Sequence, residues 1–89
     1  MRIKSGFVLR KIVDEWMIIP TGNRLVDFNG IMSLNETSAF IWDKLADDIS
    51  FENLVNSVVN EFDVPTETAR QDLVAIIKQL YDYGVMEND

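Results

Sequence analysis

The most constraining feature of the sequence is the junction at residues 30–45, where a short apolar strand leads directly into an amphipathic helix. The segment reads GIMSLNETSAFIWDKL. Asn35 can cap this helix by accepting hydrogen bonds from the free backbone N–H groups of its first turn. The helix then presents three apolar residues on one face: Ile41, Trp42 and Leu45. The chain is therefore expected to change from strand to helix immediately before Asn35.

Before this junction the sequence predicts a small antiparallel sheet. Apolar, β-favouring stretches occupy residues 7–13, 16–19, 25–28 and 31–34. Polar or turn-forming residues separate them. Asn29 and Gly30 suit a two-residue hairpin turn, because both central positions of such a turn need a positive φ. We expect three or four strands.

After the junction the apolar spacing becomes helical. Ser50 can cap a second helix, and its apolar stripe consists of Leu54, Val55, Val58, Val59 and Phe62. Pro65 can occupy the first turn of a third helix, which should run to Tyr83 and stop at Gly84. The sequence thus predicts an α+β fold, a small antiparallel sheet of three or four strands followed by three α-helices. A single domain over residues 1–89 is expected, and the winged helix-turn-helix is the nearest general architecture.

The composition excludes most catalytic chemistry. The 89 residues include no cysteine and no histidine, which removes disulfides, thiolate nucleophiles, imidazole catalysis and zinc sites built from these side chains. No segment has the spacing of a calcium-binding loop, and Asp47 and Asp48 are interpreted as a solvated helix end. We therefore predict a protein that is not an enzyme and that holds no cofactor and no metal.

The charge and hydropathy patterns also limit the partners. The net charge is −7, and four of the eight basic residues lie in the first eleven positions, so nucleic acid is not an expected partner. No apolar run approaches the roughly 20 residues that a membrane helix needs. The N-terminal residues lack the apolar core of an export signal. We expect a cytoplasmic protein without a membrane partner.

Three stretches of the sequence resemble a known family over nearly the full length of the chain. They are LRKIVDEW in the first hairpin, LNETSAFIW at the junction and FDVPTETARQDL at the start of the last helix. The family is the PqqD-like peptide chaperones, also called RiPP recognition elements, which hold the leader segment of a ribosomally made precursor peptide during modification. The resemblance implies a partner enzyme, expected to be a radical S-adenosylmethionine maturase. Residues 22–29 look longer than the matching turn of the shortest family members, which leaves the strand order there open.

The third predicted helix carries an apolar shoulder beside its core face. With about 100° of rotation per residue, the core positions are Ala69, Leu73, Ile76 and Leu80. The adjoining arc contains Arg70, Val74, Ile77 and Tyr81. This shoulder is either the wall of a binding groove or a second packing face, against the N-terminal strand or residues 85–86.

The last predicted strand supplies the other half of the expected site. If it is an edge strand, its unpaired N–H and C=O groups offer a template for an extended peptide. The resemblance implies that the leader adds a strand between this strand and the third helix. The predicted peptide-binding residues are Ile31, Met32, Ser33, Leu34, Arg70, Val74, Ile77 and Tyr81. Arg70 is assigned to an acidic residue of the ligand, and the same free edge would allow a homodimer.

Two functions from different classes remain. The first is a non-catalytic chaperone that captures a leader peptide and presents it to a modifying enzyme. The alternative is a winged helix-turn-helix transcription regulator, which needs a basic recognition helix. Against this alternative, the third helix has more acidic than basic residues, namely Glu67, Asp72 and Asp82 beside Arg70 and Lys78.

Overall fold

The computed structural model describes residues 1–22 and 32–87. In this part of the chain a three-stranded antiparallel sheet is followed by three α-helices, which confirms the predicted α+β class. The elements are β1 (Phe7–Ile12), β2 (Glu15–Pro20), β3 (Met32–Leu34), α1 (Glu36–Lys44), α2 (Phe51–Phe62) and α3 (Thr66–Asp82). The strand predicted over residues 25–28, the turn at Asn29 and Gly30, and Ile31 lie outside the described residues.

The chain divides into two compact units. The sheet unit comprises Lys4–Phe40 and contains the three strands. The helical unit combines Met1–Ile3 with Ile41–Asp89 and contains α2 and α3. The single domain predicted for residues 1–89 stays a prediction.

The sheet has the order β1-β2-β3, and both neighbouring pairs are antiparallel. Ile18 of β2 lies opposite Leu9 of β1 and opposite Met32 of β3. Because side chains alternate between the two faces of a strand, these three residues share one face. Ile18 and Met32 are buried, so this is the core face of the sheet. Met17 and its partner Ser33 point to the opposite face.

Side chains cap the first two helices as the sequence predicts. The backbone N–H of Ser38 donates to Oδ1 of Asn35 over 2.8 Å, and that of Asn53 donates to Oγ of Ser50 over 3.1 Å. Both caps satisfy donors that have no partner within the helix. Pro65 differs slightly from expectation, because it is the N-cap of α3 with extended backbone angles rather than a residue of its first turn.

The C-terminus of α3 is closed by a glycine, as expected from the sequence. The helix ends at Asp82, and Gly84 has a φ of 78°. The Gly84 N–H donates to the Tyr81 carbonyl over 3.0 Å, and the Val85 N–H donates to the Leu80 carbonyl over 3.3 Å. This pair of bonds is the Schellman motif, which needs a left-handed residue at the position of Gly84.

The N-terminal residues pair with the segment that follows α3. Ile3 forms an isolated antiparallel bridge with Met86, and its N–H donates to the Leu45 carbonyl over 3.1 Å. The neighbouring Arg2 makes a salt bridge of 2.8 Å with Glu87. The backbone of the buried Met86 is thus paired with the backbone of Ile3.

The buried row of α3 differs by one residue from the predicted one. It consists of Ala69, Leu73, Ile77 and Leu80. The prediction of Ile76 in this row was wrong, because Ile76 is only half-buried whereas Ile77 is 8% exposed. Because Ile77 rather than Ile76 is buried, the centre of the buried face lies closer to Arg70 around the helix axis than the sequence predicts, with about 100° per residue.

The β1–β2 hairpin has a strained turn. Ile12 pairs with Glu15, which leaves a loop of two residues, Val13 and Asp14. Val13 has a φ of 58° and is 88% exposed. A positive φ at the first central position is typical of the primed turns that match strand twist. A β-branched residue is rarely found there, because its side chain crowds the backbone.

Replacing Val13 with glycine should therefore stabilise the protein. We expect the free energy of unfolding to rise by about 0.5 to 1 kcal/mol, since glycine adopts a positive φ without the steric cost. Urea unfolding followed by circular dichroism measures the change. Val13→Ala is the matched control and should gain less, because it keeps the Cβ atom. A Val13→Gly variant no more stable than the wild type would contradict a strained turn.

Candidate functional site

The outer edge of β3 is the first candidate binding surface. Its three residues pair with β2, with Met32 opposite Ile18 and Leu34 opposite Trp16. Within the described residues, no strand pairs with the other edge of β3. Alternate residues of an antiparallel strand direct their N–H and C=O groups to opposite edges. The outward groups of β3 therefore have no strand partner among the described residues.

The two outer strands of the sheet differ in character. β1 has Arg10 and Lys11 exposed along its length, and Nζ of Lys11 lies 5.5 Å from the centre of the Trp16 ring. β3 contains no charged residue. Charged side chains on an edge strand discourage pairing with another chain. Of the two, β3 is the edge better suited to accept a peptide strand.

The exposed arc of α3 is the second candidate surface. Val74 is 59% exposed and Tyr81 is 38% exposed, and with about 100° per residue they lie nearly in line along the helix. The predicted site residues Arg70 and Ile77 lie on the same arc. Ile77 belongs to the buried row and offers little surface to a ligand. We call Arg70, Val74 and Tyr81 the α3 shoulder.

The guanidinium of Arg70 is held by a carboxylate of the neighbouring helix. Its Nη1 lies 2.5 Å from Oε2 of Glu52, and its Nη2 lies 2.6 Å from Oε1. The hydrogen bonds from Arg70 lower the pKa of Glu52, and the same bonds raise the pKa of Arg70. Both side chains are partly exposed, at 40% for Arg70 and 61% for Glu52.

The structure describes most of the predicted site residues. It also shows a further residue beside them that the sequence does not indicate. Met32, Ser33 and Leu34 form β3, while Arg70, Val74, Ile77 and Tyr81 share one arc of α3. Ile31 lies outside the described residues, and the role of all eight in binding stays a prediction. The additional residue is Glu52. No local pattern pairs it with Arg70, because the two residues are 18 positions apart.

The described residues show no site for a metal and no membrane span. In residues 1–22 and 32–87, no group of three or more acidic side chains converges as a metal site would require. No helix in this part of the chain is long and apolar enough to cross a membrane.

Comparisons with known proteins bear on family and fold. The family model described as Coenzyme PQQ synthesis protein D (PqqD) matches residues 15–86. No curated protein sequence matches the chain. A solved structure described as TbiB1 in complex with the TbiA(beta) leader peptide has a similar fold, with a TM-score of 0.77. Its sequence is 21% identical, and the match covers 100% of this chain and 98% of that chain.

The ion pair between Glu52 and Arg70 should make a pH-dependent contribution to stability. Because the pKa of Glu52 is lowered from 4.5 in the folded protein, the contribution is present above that value. It is lost as the pH falls through the folded-state pKa. Glu52→Gln should therefore destabilise the protein slightly near neutral pH and by less at about pH 3.

Urea unfolding at the two pH values measures this difference. The matched control is Glu61→Gln. It removes the same charge from an exposed position of α2 that lies on the opposite side of the helix axis, about 180° from Glu52. An equal loss of stability at both pH values for Glu52→Gln would contradict the ion-pair interpretation.

Proposed function

The chain belongs to the PqqD family, as the sequence predicts, and on this premise we propose that it is a non-catalytic peptide-binding chaperone. It captures the leader segment of a ribosomally made precursor peptide by β-strand addition and presents it to a modifying enzyme. The observation that carries the proposal is the uncharged outer edge of β3, which has no partner strand within the described residues. The similar fold of TbiB1, described with a leader peptide, supports it.

Backbone pairing alone is too weak to hold a leader peptide. A strand of three residues offers about two to four hydrogen bonds, each worth about 1 kcal/mol net. Ordering a disordered segment costs about 2 to 5 kcal/mol, which cancels most of this gain. Side chains of the peptide must therefore bury apolar surface on the protein, at about 25 cal/mol for each Å² removed from water.

The α3 shoulder supplies apolar surface of this kind. Val74 and Tyr81 are large apolar or aromatic side chains that the described structure leaves exposed. In strand addition, alternate side chains of the peptide determine which sequences bind. We propose that these side chains contact Val74 and Tyr81, while the peptide backbone pairs with β3. Ile31 and Ile77 are kept in the proposed site, and Ile77 has the smaller role because so little of it is exposed.

The modifying chemistry belongs to the partner in this proposal. The chain contains neither cysteine nor histidine, so it lacks the usual ligands of an iron–sulfur cluster. A radical S-adenosylmethionine maturase or another peptide-modifying enzyme would receive the bound leader. The cytoplasmic location stays a prediction, as does a homodimer formed through the free edge.

The alternative of a DNA-binding regulator has little support in α3. Its two basic residues both face carboxylates, Arg70 with Glu52 at 2.5 Å and Lys78 with Asp82 at 3.9 Å. A recognition helix needs cations that are available to phosphates and bases. Duplex DNA should accordingly bind weakly or not at all.

The sharpest test of the proposed site is a charge placed on the α3 shoulder. Val74→Asp should weaken leader binding at least about tenfold, because the loss of apolar contact and the desolvation of a carboxylate together exceed about 1.4 kcal/mol. Synthetic peptides covering the short open reading frames beside the gene serve as ligands. Fluorescence anisotropy measures their affinity, and circular dichroism checks that the variant is folded.

Gln79→Asp is the matched control, because it introduces the same side chain on an exposed flank of α3 about 140° from Val74. It should bind the peptide as the wild type does. Equal binding by Val74→Asp and the control would contradict the proposed site. Binding of duplex DNA that weakens steeply with salt, without any peptide binding, would instead favour the transcription regulator.

A further inference from the structure

Arg70 is the cation of the α3 shoulder, and an internal carboxylate already occupies it. The two hydrogen bonds from its guanidinium end on separate oxygens of Glu52, which is the paired geometry that a ligand carboxylate would also adopt. The charge of Glu67 also helps to raise the pKa of Arg70. An acidic ligand that approaches Arg70 therefore meets a protein carboxylate, that of Glu52, which already accepts from the same donors.

We propose that Glu52 is a built-in competitor for Arg70, and that a leader segment with an acidic side chain displaces it when the leader binds. The inference rests on the proposed function and adds the class of ligand and a specificity-determining residue. The bound peptide would place its carboxylate on the guanidinium, and Glu52 would turn into solvent. Its exposure allows this movement without disturbing the buried row of α2, which consists of Leu54, Val55 and Val58.

The competition persists at neutral pH. The hydrogen bonds from Arg70 lower the pKa of Glu52, so this carboxylate is ionised at neutral pH. The guanidinium remains charged throughout. Glu52 therefore reduces the affinity for every acidic ligand by a constant factor, and removing its charge should reveal that factor.

The expected factor is modest because the pair is exposed. Ion pairs in contact with solvent contribute about 0 to 1 kcal/mol, which corresponds to at most about a fivefold change in affinity. Removing the competitor also removes the repulsion between Glu52 and the incoming carboxylate. We expect Glu52→Gln to bind an acidic leader about two to five times more tightly than the wild type.

A peptide series tests the proposal. The tightest-binding synthetic peptide from the neighbouring open reading frames is made again with each Asp or Glu replaced singly by Asn or Gln. One replacement should abolish the gain from Glu52→Gln, so that this amide peptide binds both proteins equally. Arg70→Gln should no longer prefer the acidic version to the amide version, because it lacks the cation that the ligand carboxylate needs. Glu61→Gln, which removes a charge from the far side of α2, should leave the wild-type preference intact.

The outcomes separate this proposal from the proposed function. If the wild type binds none of the peptides, the proposed function fails and the inference fails with it. If the wild type binds but Glu52→Gln shows no gain for any acidic peptide, the inference alone is overturned. An equal gain with Glu61→Gln would also overturn it, since net charge rather than displacement from Arg70 would then explain the effect.

Discussion

The hydrogen-bonding requirement of the β3 backbone is the constraint on which the rest of this account depends. Every backbone N–H and C=O group needs a partner, from the protein, from water or from a ligand. β2 supplies the partners on one edge of β3, and the described residues supply no strand on the other. In the proposed function, an extended peptide pairs with this second edge. Because the described part of β3 has three residues, we propose that this pairing is weak and that the peptide also needs a second contact surface.

In the proposed function, weak backbone pairing and a small apolar contact suit a protein that must release what it binds. We propose that the exposed Val74 and Tyr81 add sequence preference to the backbone pairing, which any peptide can make. Arg70 can add a charge preference only by exchanging Glu52 for a ligand carboxylate. Each contribution is small by itself, so selectivity in this proposal arises from their sum.

Local signals predicted the elements of this fold well. Asn35 and Ser50 cap their helices as expected, because a cap depends on residues within one turn of each other. The sequence predicts Ile77 on the arc beside the core face of α3, but Ile77 lies in the buried row. Helical periodicity shows how many neighbouring positions are apolar, but it does not show which of them faces the core. The pair of Glu52 and Arg70 joins two helices across 18 positions. Nothing in the local sequence indicates such a contact, so only the structure reveals it.

Hydrogen exchange at β3 is the decisive test of strand addition at this edge. Nuclear magnetic resonance can follow the backbone amides of Met32, Ser33 and Leu34 with and without a bound leader peptide. The account predicts that peptide binding slows the exchange of the outward-facing β3 amides, while exchange along β1 is unchanged. A peptide that binds tightly but leaves β3 exchange unaltered, or that protects β1 instead, would contradict strand addition at this edge.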